Sequence, residues 1–277
     1  MYRYKIADVF TETPLEGNPL AVFTDGRGIP GERMQQIARE MNLSETVFVL
    51  PAESGGDARI RIFTPTSELA FAGHPTLGTA FVLGEPAQLK SIRLETGAGV
   101  VPIEFEHRDG RIISGRMRQP IPTWEPYERS GELLASLGLR SSYLPVEVYR
   151  NGPRHVYVAL ESEDAVAALD PDLGLLATHD VGVNCFAGSG ATWKTRMFGP
   201  ALGVPEDPAT GSAAGPLAVH LARHGRIAFG QEIEISQGAE IGRPSRLYAR
   251  AGGNSDHIDT VEVAGAAVVV ADGQLHA

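Results

Sequence analysis

Short apolar runs and alternating runs dominate this sequence, and only a few stretches show helical spacing. Alternation over residues 58–63 and the apolar run at 47–50 predict β-strands. Gly17 and Asn18 are predicted to supply a turn between the first two strands. The clearest amphipathic helix is predicted at residues 32–41, and its apolar face carries Met34, Ile37, Ala38 and Met41. Many short strands with one central helix in each half predict an α+β class.

One plan occurs twice in the chain, in residues 68–84 and again in residues 206–225. Aligning Gly73 with Gly211 pairs three further identities without a gap: Glu68 with Glu206, Ala80 with Ala218, and Leu83 with Leu221. A similar lead-in precedes each copy, RIFTP at 61–65 and RMFGP at 196–200. Each copy predicts a strand, an acidic loop, a glycine turn and a helix enclosed by other elements. The chain therefore consists of two related halves.

The segment QPIPTWEP at residues 119–126 contains three prolines and is predicted to form neither a helix nor a central strand. We predict that it links an N-terminal domain, residues 1–118, to a C-terminal domain, residues 127–265. The last residues, about 266–277, are predicted to return to the N-terminal domain.

The chain of 277 residues has a net charge of −10 and a pI near 5.3, with no run of Lys or Arg. Nucleic acid or an anionic membrane would require a basic face, so neither is expected as a partner. The single cysteine, Cys185, excludes an intramolecular disulfide and fits a reducing compartment. The opening residues lack an apolar signal core, and the run at 264–271 is too short to span a bilayer, so a cytoplasmic protein is expected.

Each predicted central helix begins at a glycine turn, at Gly73 or at Gly211. The free N–H groups and the dipole of a helix N-terminus favour anions. An acidic protein can bind a small anion only through such local donors. The two turns therefore predict two anion-binding helix ends and a small anionic molecule as the ligand.

Glu45 is the first candidate for acid–base chemistry. It lies between Leu43 and the apolar run at 47–50, at a predicted helix-to-strand corner. An inward orientation would desolvate the side chain and raise its pKa towards a range in which it can accept and return a proton. The alternative is a solvated carboxylate at the rim of a strand.

His74 and Asp207 lie at the two glycine turns. The helix dipole disfavours a charged His74, so a neutral imidazole is predicted; the alternative is a histidine that only satisfies loop groups. Asp207 is a further candidate for the chemistry of the site. Because it precedes Pro208, the alternative is that it only shapes a turn. In the alignment of the halves Asp207 falls on Leu69 and His74 falls on Ser212, so the halves differ where they would face a ligand.

This divergence between the halves bears on the type of reaction. A cofactor-free racemase needs an acid–base group on each side of the reacting carbon, ideally a matched pair. The glycine turns offer His74 and Ser212 instead, and Cys185 belongs to neither turn. A single mobile base, Glu45, would remove a proton and return it to the same face, which predicts isomerisation without inversion.

Signals for metal, nucleotide and nucleophile sites are weak. His220 and His224 are four residues apart on a predicted helix, but no third ligand is obvious, so no metal site is predicted. The loop GSG at 188–190 lacks the third glycine of a dinucleotide fingerprint, and no Walker-type GK[ST] occurs. No Ser-His-Asp arrangement is readable around Ser212, and Cys185 is predicted to be a small buried residue.

Several motifs of the chain resemble the PhzF-like family of phenazine-biosynthesis isomerases. The most specific are NLSET from Asn42, FAGHPTLGTA from Phe71 and EDPATGSAAGP from Glu206. Further matching runs extend over nearly the whole chain: EGNPLAVF from Glu16, RIFTPTSEL from Arg61, QPIPTW from Gln119, NGPRHVYV from Asn151, VNCFAGSG from Val183 and EIGRPS from Glu240.

The resemblance implies a fold like that of diaminopimelate epimerase. Each of two pseudo-symmetric domains would wrap a mostly antiparallel, barrel-like sheet around a central helix, with the active site between them. A homodimer is implied, as is a reaction without metal or cofactor. The implied reaction isomerises trans-2,3-dihydro-3-hydroxyanthranilate to a reactive ketone in phenazine biosynthesis.

The resemblance also implies roles for particular residues. Glu45 of the NLSET motif is the implied proton shuttle, and His74 and Asp207 are the implied catalytic residues that assist it. The implied substrate-binding residues are Ser44, Gly73, Gly211 and Ser212. The N–H groups of the two glycines and of Ser212 would be directed at the substrate carboxylate.

Two other functions stay open on the sequence. A cofactor-independent epimerase of an amino-acid-like substrate would share the fold. A non-catalytic protein that binds a small anion would share the two helix ends. Migration of hydrogen within the substrate would separate the isomerase from both alternatives.

Overall fold

The computed structural model describes residues 1–276. The elements of the N-terminal half are β1 (Tyr2–Val9), β2 (Asn18–Phe23), α1 (Gly31–Met41), β3 (Glu45–Leu50), β4 (Ala58–Phe63), β5 (Glu68–Leu69), α2 (Gly73–Ala87), β6 (Ser91–Thr96), β7 (Gly99–Arg108) and β8 (Arg111–Arg118).

The elements that follow are β9 (Thr123–Pro126), α3 (Ser130–Ser136), β10 (Glu147–Arg150), β11 (Arg154–Ala159), α4 (Glu163–Ala167), α5 (Leu173–Leu176), β12 (Gly182–Ser189), β13 (Thr192–Gly199), β14 (Val204–Asp207), α6 (Gly211–Arg223), β15 (Glu232–Gln237), β16 (Ser245–Gly253), β17 (Ile258–Gly265) and β18 (Ala267–Leu275). Short 3₁₀ helices lie at Pro200–Leu202 and Ala239–Ile241.

The strand pairings occur in the same order in the two halves. In the first half β1–β2 and β3–β4 are antiparallel, whereas β2–β3 and β4–β6 are parallel. In the second half β10–β11 and β12–β13 are antiparallel, whereas β11–β12 and β13–β15 are parallel. A parallel pair requires a crossover, and α2 and α6 supply it for β4–β6 and β13–β15. The predicted α+β class with two related halves is confirmed.

Two strand pairings connect the halves. β17 pairs with β8 over residues 262–265. β18 pairs with β1 along its length, from Ala267 opposite Val9 to Leu275 opposite Tyr2. The chain thus leaves the second half after residue 265 and returns to the first half, where β18 lies beside β1. The domain boundaries themselves stay a prediction.

The helices α2 and α6 form the buried centres of the two halves. Every residue from Gly73 to Val82 and from Gly211 to Ala222 is buried. α2 packs against β1, β2 and β8, and α6 packs against β16 and β17. A Cβ at Gly78 would lie only 2.6 Å from the Val9 side chain, so small residues allow this close packing. The prediction that other elements enclose both helices is confirmed.

The acidic residues before the glycine turns lie on strands, and only residues 70–72 and 208–210 are loops. The strands are the short β5 and β14, which fold back on β4 and β13 as hairpins. Each of these short strands pairs with the strand that precedes it in the chain. The local pattern of apolar residues did not indicate this pairing. The predicted linker is also partly a strand, because β9 pairs with β10. Its first two prolines precede β9 and Pro126 ends it, as expected for residues that cannot donate to a ladder.

Other local predictions have mixed outcomes. The helix predicted at 32–41 is confirmed as α1, which ends at Asn42 in the left-handed conformation (φ 50°). The sequence also predicts a helix at residues 162–169, and the helix formed there, α4, is shorter and ends at Ala167. Cys185 on β12 is buried, and burial raises the pKa of its thiol to about 12. Among residues 1–276, none of the helices combines the length and the apolar character needed to cross a bilayer.

Candidate active site

The N-termini of α2 and α6 touch where the two halves meet. A Cβ built on Gly73 would lie 2.4 Å from the carbonyl carbon of Gly211 and 2.4 Å from the nitrogen of Ser212. A Cβ built on Gly211 would lie 3.0 Å from the nitrogen of His74 and 2.9 Å from the ring of Phe10. Glycine is therefore required at both turns. Two helix N-termini, each with free N–H groups, consequently lie side by side.

A cavity of about 260 Å³ opens at these helix ends and is lined by both halves. Its walls include six of the residues singled out from the sequence: Glu45, Gly73, His74, Asp207, Gly211 and Ser212. Ser44 is the exception. Its hydroxyl donates to Oδ1 of Asp207 at 3.2 Å and is not part of the lining. Gly73 and Gly211, which the internal alignment makes equivalent, are 138 positions apart in the chain and line one site.

Glu45 is the first residue of β3 and is mostly buried. Its side chain is 14% exposed, and its Oε2 lies 3.2 Å from Nε2 of His74. This contact is not aligned as a hydrogen bond, and neither atom has another hydrogen-bond partner within residues 1–276. Burial, together with the negative charge of Asp207, raises the pKa of Glu45 well above its usual range. The alternative of a solvated carboxylate at a strand rim is wrong.

His74 is buried at the second position of α2. Burial lowers the pKa of His74 to about 3, so its imidazole is neutral at physiological pH. Nδ2 of Asn18 lies 3.2 Å from Nδ1 of His74 and also donates to Asp207 and to the carbonyl of Ala209. Because an amide nitrogen only donates, Nδ1 is the acceptor and the ring proton lies on Nε2, facing Glu45.

Asp207 ends β14 and accepts three hydrogen bonds. The donors are Oγ1 of Thr210 at 2.6 Å, Nδ2 of Asn18 at 2.8 Å and Oγ of Ser44 at 3.2 Å. Burial raises the pKa of Asp207 to about 6, and these three hydrogen bonds oppose the rise. Within residues 1–276, Glu45 has no comparable donors. Asp207 is therefore the carboxyl group that ionises first, and Glu45 keeps its proton to higher pH.

Two buried amide side chains hold the start of α6. Nε2 of Gln119 donates to the carbonyl of Gly211 at 2.8 Å. Nδ2 of Asn151 donates to the carbonyl of Ser212 at 3.0 Å. These bonds fix the peptide planes at the helix end, and so they fix where the neighbouring N–H groups point.

Sequence reasoning missed several of the buried polar residues around the cavity. The interpretation of Asn18 as a turn residue is incomplete, because its side chain connects His74 to Asp207 across the two halves. The residues missed altogether are Gln119, Asn151 and His155. Asn18 lies in the motif EGNPLAVF, Gln119 lies in QPIPTW, and the other two lie in NGPRHVYV. The polar positions inside these motifs were the signal that could have identified them.

A second cluster of potential ligands lies outside this cavity. The prediction that His220 and His224 lack a third ligand is wrong, because β10 brings Glu147 within 4.8 Å of both. Nη1 of Arg223, however, donates to Oε2 of Glu147 at 2.8 Å. Burial raises the pKa of Glu147, but hydrogen bonds from four side chains outweigh burial and hold this pKa well below its usual range. The four side chains are those of His220, His224, Arg223 and Tyr149. The arginine already supplies the positive charge that a metal ion would bring, so the cluster is an ion-pair network.

The fold and the site can be compared with known proteins. A family model described as PhzC-PhzF, phenazine biosynthesis-like protein, matches residues 7–273. The chain is 57% identical over 277 residues to the trans-2,3-dihydro-3-hydroxyanthranilate isomerase of Pseudomonas aeruginosa, with 100% of both chains covered.

Solved structures show the same fold. A phenazine biosynthesis protein of the PhzF family from Bacillus anthracis matches with a TM-score of 0.85 at 27% identity, over 100% of this chain and 99% of the other. A probable proline racemase from Agrobacterium radiobacter matches with a TM-score of 0.70 at 15% identity, over 100% and 93% of the two chains, which concerns the fold alone. The predicted epimerase-like fold is confirmed.

Proposed function

Because the chain belongs to the PhzC-PhzF family of phenazine biosynthesis-like proteins, we propose that it is a cofactor-independent isomerase of trans-2,3-dihydro-3-hydroxyanthranilate. The full-length relative from Pseudomonas aeruginosa carries that activity in its name. The observation that carries the proposal is the buried Glu45 carboxyl in the cavity between the halves, with a raised pKa and an Oε2 that faces His74.

The two helix ends provide the binding site for the substrate carboxylate. The N–H groups of Gly73, Gly211 and Ser212 supply donors, and both helix dipoles favour a negative charge there. The ionised Asp207, with Ser44 beside it, is suited to hold the amino group of the substrate. A carboxylate and an amino group fixed at two points orient the ring over Glu45.

The reaction is a proton shift in which atoms and charge balance. Ionised Glu45 removes the proton from the ring carbon that bears the hydroxyl group, and the electron pair moves into the conjugated diene. The protonated Glu45 then gives the same proton to another ring carbon, on the same face. The resulting enol converts to the ketone, and Glu45 is again ionised. No electron acceptor takes part.

His74 acts on Glu45 and on the substrate in its neutral form. Its Nε2 lies 3.2 Å from Oε2 of Glu45 and can donate a hydrogen bond to the carboxylate once that group ionises. Because the imidazole carries no charge, it stabilises the ionised base less than an imidazolium would, which keeps the pKa of Glu45 raised. A base with a raised pKa accepts a carbon-bound proton more readily.

Glu45→Gln is the direct test. The substrate is prepared with deuterium on the carbon that bears the hydroxyl group, and product formation and label position are followed. The wild-type protein should remove the label from that carbon, and Glu45→Gln should reduce the rate by about 100-fold to 10,000-fold, as for loss of a general base. The matched control is Glu40→Gln on the exposed face of α1, which should leave the rate unchanged.

Several outcomes contradict the proposal. Turnover of Glu45→Gln near the wild-type rate would remove Glu45 from the mechanism. Loss of optical activity with solvent hydrogen entering at a single carbon would identify an epimerase instead. Binding of the substrate without any loss of label would identify a protein that only binds a small anion.

A homodimer in the cytoplasm completes the proposal. The family resemblance supports the dimer, and the acidic composition supports a partner that is neither nucleic acid nor an anionic membrane. Light scattering coupled to size-exclusion chromatography tests the dimer: a mass of one chain, 29.5 kDa, at micromolar concentration would contradict it.

A further inference from the structure

His155 is a buried histidine of the cavity that the proposed proton shift does not use. It lies on β11, is 1% exposed and lines the cavity wall. Its Nε2 lies 2.9 Å from Oγ of Ser212, the second residue of α6. Ser212 is one of the residues at the anion-binding helix end, so the direction of this hydrogen bond decides what the hydroxyl can offer a ligand.

Asn184 on β12 sets the tautomer of His155. Its Nδ2 lies 3.3 Å from Nδ1 of His155, 3.3 Å from the carbonyl oxygen of Gly182 and 3.4 Å from that of Val156. Two carbonyl oxygens can only accept, so the amide nitrogen and not the amide oxygen faces this side. An amide nitrogen cannot accept a proton from Nδ1, so the single ring proton of neutral His155 lies on Nε2, and Nδ1 shares the two amide protons with the carbonyl oxygens.

Burial keeps His155 in the neutral form, because it lowers the pKa of the imidazole to about 4. Nε2–H of His155 then donates to Oγ of Ser212, and the hydroxyl does not donate its own proton to the histidine. This direction is opposite to that of a nucleophilic serine, whose proton goes to a histidine. The proton of Ser212 is then available to a ligand in the cavity that Ser212 lines.

We propose that Asn184 and His155 form a hydrogen-bond relay that makes the Ser212 hydroxyl a donor to the substrate carboxylate, with His155 as a positioning residue. The inference rests on the proposed function, since it assigns the relay to the anionic end of that substrate. Without the relay, the hydroxyl can turn its proton to a neighbouring acceptor and present a lone pair to the anion, which repels it.

The binding test uses two stable aromatic probes, 3-hydroxyanthranilate and 2-aminophenol, which differ in the carboxylate. Calorimetry is carried out on wild type, His155→Leu, Ser212→Ala and the double variant. Each single variant should bind 3-hydroxyanthranilate about 10-fold to 100-fold more weakly, the size of one hydrogen bond to a charged group. The double variant should be no weaker than Ser212→Ala, because His155 acts through Ser212.

Two controls separate the relay from a general packing role. Binding of 2-aminophenol should be unchanged in all variants, because this probe has no carboxylate for Ser212 to contact. His155→Gln, whose amide can still donate to Ser212, should recover most of the affinity for 3-hydroxyanthranilate. In protein labelled with nitrogen-15 histidine, the wild-type His155 should show the tautomer protonated at Nε2.

The failures are distinguishable. If the wild-type protein does not bind 3-hydroxyanthranilate, the proposed function fails and the relay fails with it. If it binds, but the losses of the two single variants add in the double variant, the relay alone is overturned. A spectrum that places the proton of His155 on Nδ1 also overturns the relay alone.

Discussion

Gly73→Ala tests whether the contact between the two helix ends builds the site. The added Cβ would lie 2.4 Å from backbone atoms of Gly211 and Ser212, whereas ordinary van der Waals contact begins at 3.4 Å. Those atoms belong to the first turn of a buried helix, so they cannot rotate away as the end of a side chain can. We expect the N-termini of α2 and α6 to separate by about 1 Å.

The separation has different effects on stability and on catalysis. Overpacking a buried contact costs about 1–3 kcal/mol of folding free energy. Replacing glycine by alanine in a helix returns about 0.5–1 kcal/mol, so the net loss is at most about 2.5 kcal/mol and most molecules stay folded. A displacement of about 1 Å in the groups that hold a substrate reduces the rate about 100-fold. The fall in kcat/KM should therefore greatly exceed what a small unfolded fraction explains.

The assay compares Gly73→Ala with Gly131→Ala, a matched control in α3. A Cβ at Gly131 would have no neighbour within 4 Å, so this variant should have wild-type kcat/KM and equal or slightly higher stability. Urea unfolding gives the stability and turnover of the substrate gives kcat/KM. Wild-type values of both in Gly73→Ala would refute the idea that the helix ends are held in contact by the absence of a side chain.

Two further predictions concern pH. The acid limb of kcat/KM should lie at a pH well above the pKa of an ordinary glutamate, because Glu45 must be ionised and its pKa is raised. In Asp207→Asn the limb should move to lower pH, because the charge of Asp207 is one cause of the raised pKa. An unmoved limb would contradict this electrostatic coupling. Glu95 accepts hydrogen bonds from the backbone of Glu53 and Gly56 at 2.7 and 2.8 Å, which lower its pKa. This stabilisation is present above the unfolded pKa and is lost as pH falls through the folded one, so Glu95→Gln should lower the melting temperature at pH 7 and the difference should shrink below about pH 4.3; a constant difference would contradict it.

Local patterns predicted the elements whose burial is visible along the chain. The spacing of apolar residues at 32–41 predicts α1, and the small residues after Gly73 and Gly211 predict enclosed helices. The strands β5 and β14 were not predicted, because two or four residues give too little pattern to separate a hairpin from a loop. Their pairing depends on the preceding strand, which a local window does not weigh.

The polar residues of the cavity show a different limit. Asn and Gln are mostly exposed residue types and His is intermediate, and nothing in the immediate neighbours of Asn18, Gln119 and His155 marks them as buried. They are buried because strands distant in the chain carry them to the start of α2 or α6. Their hydrogen bonds to Asp207, Gly211 and Ser212 join residues 189, 92 and 57 positions apart.

The sequence by itself determined the duplicated plan, the two glycine turns and the identity of the candidate groups, because residue type and spacing act over a few neighbouring positions. Only the tertiary structure decided which of these groups share a cavity, which carboxyl group loses its proton first and which tautomers His74 and His155 adopt. Those properties follow from burial and from hydrogen bonds between atoms that are near in space and far apart along the chain.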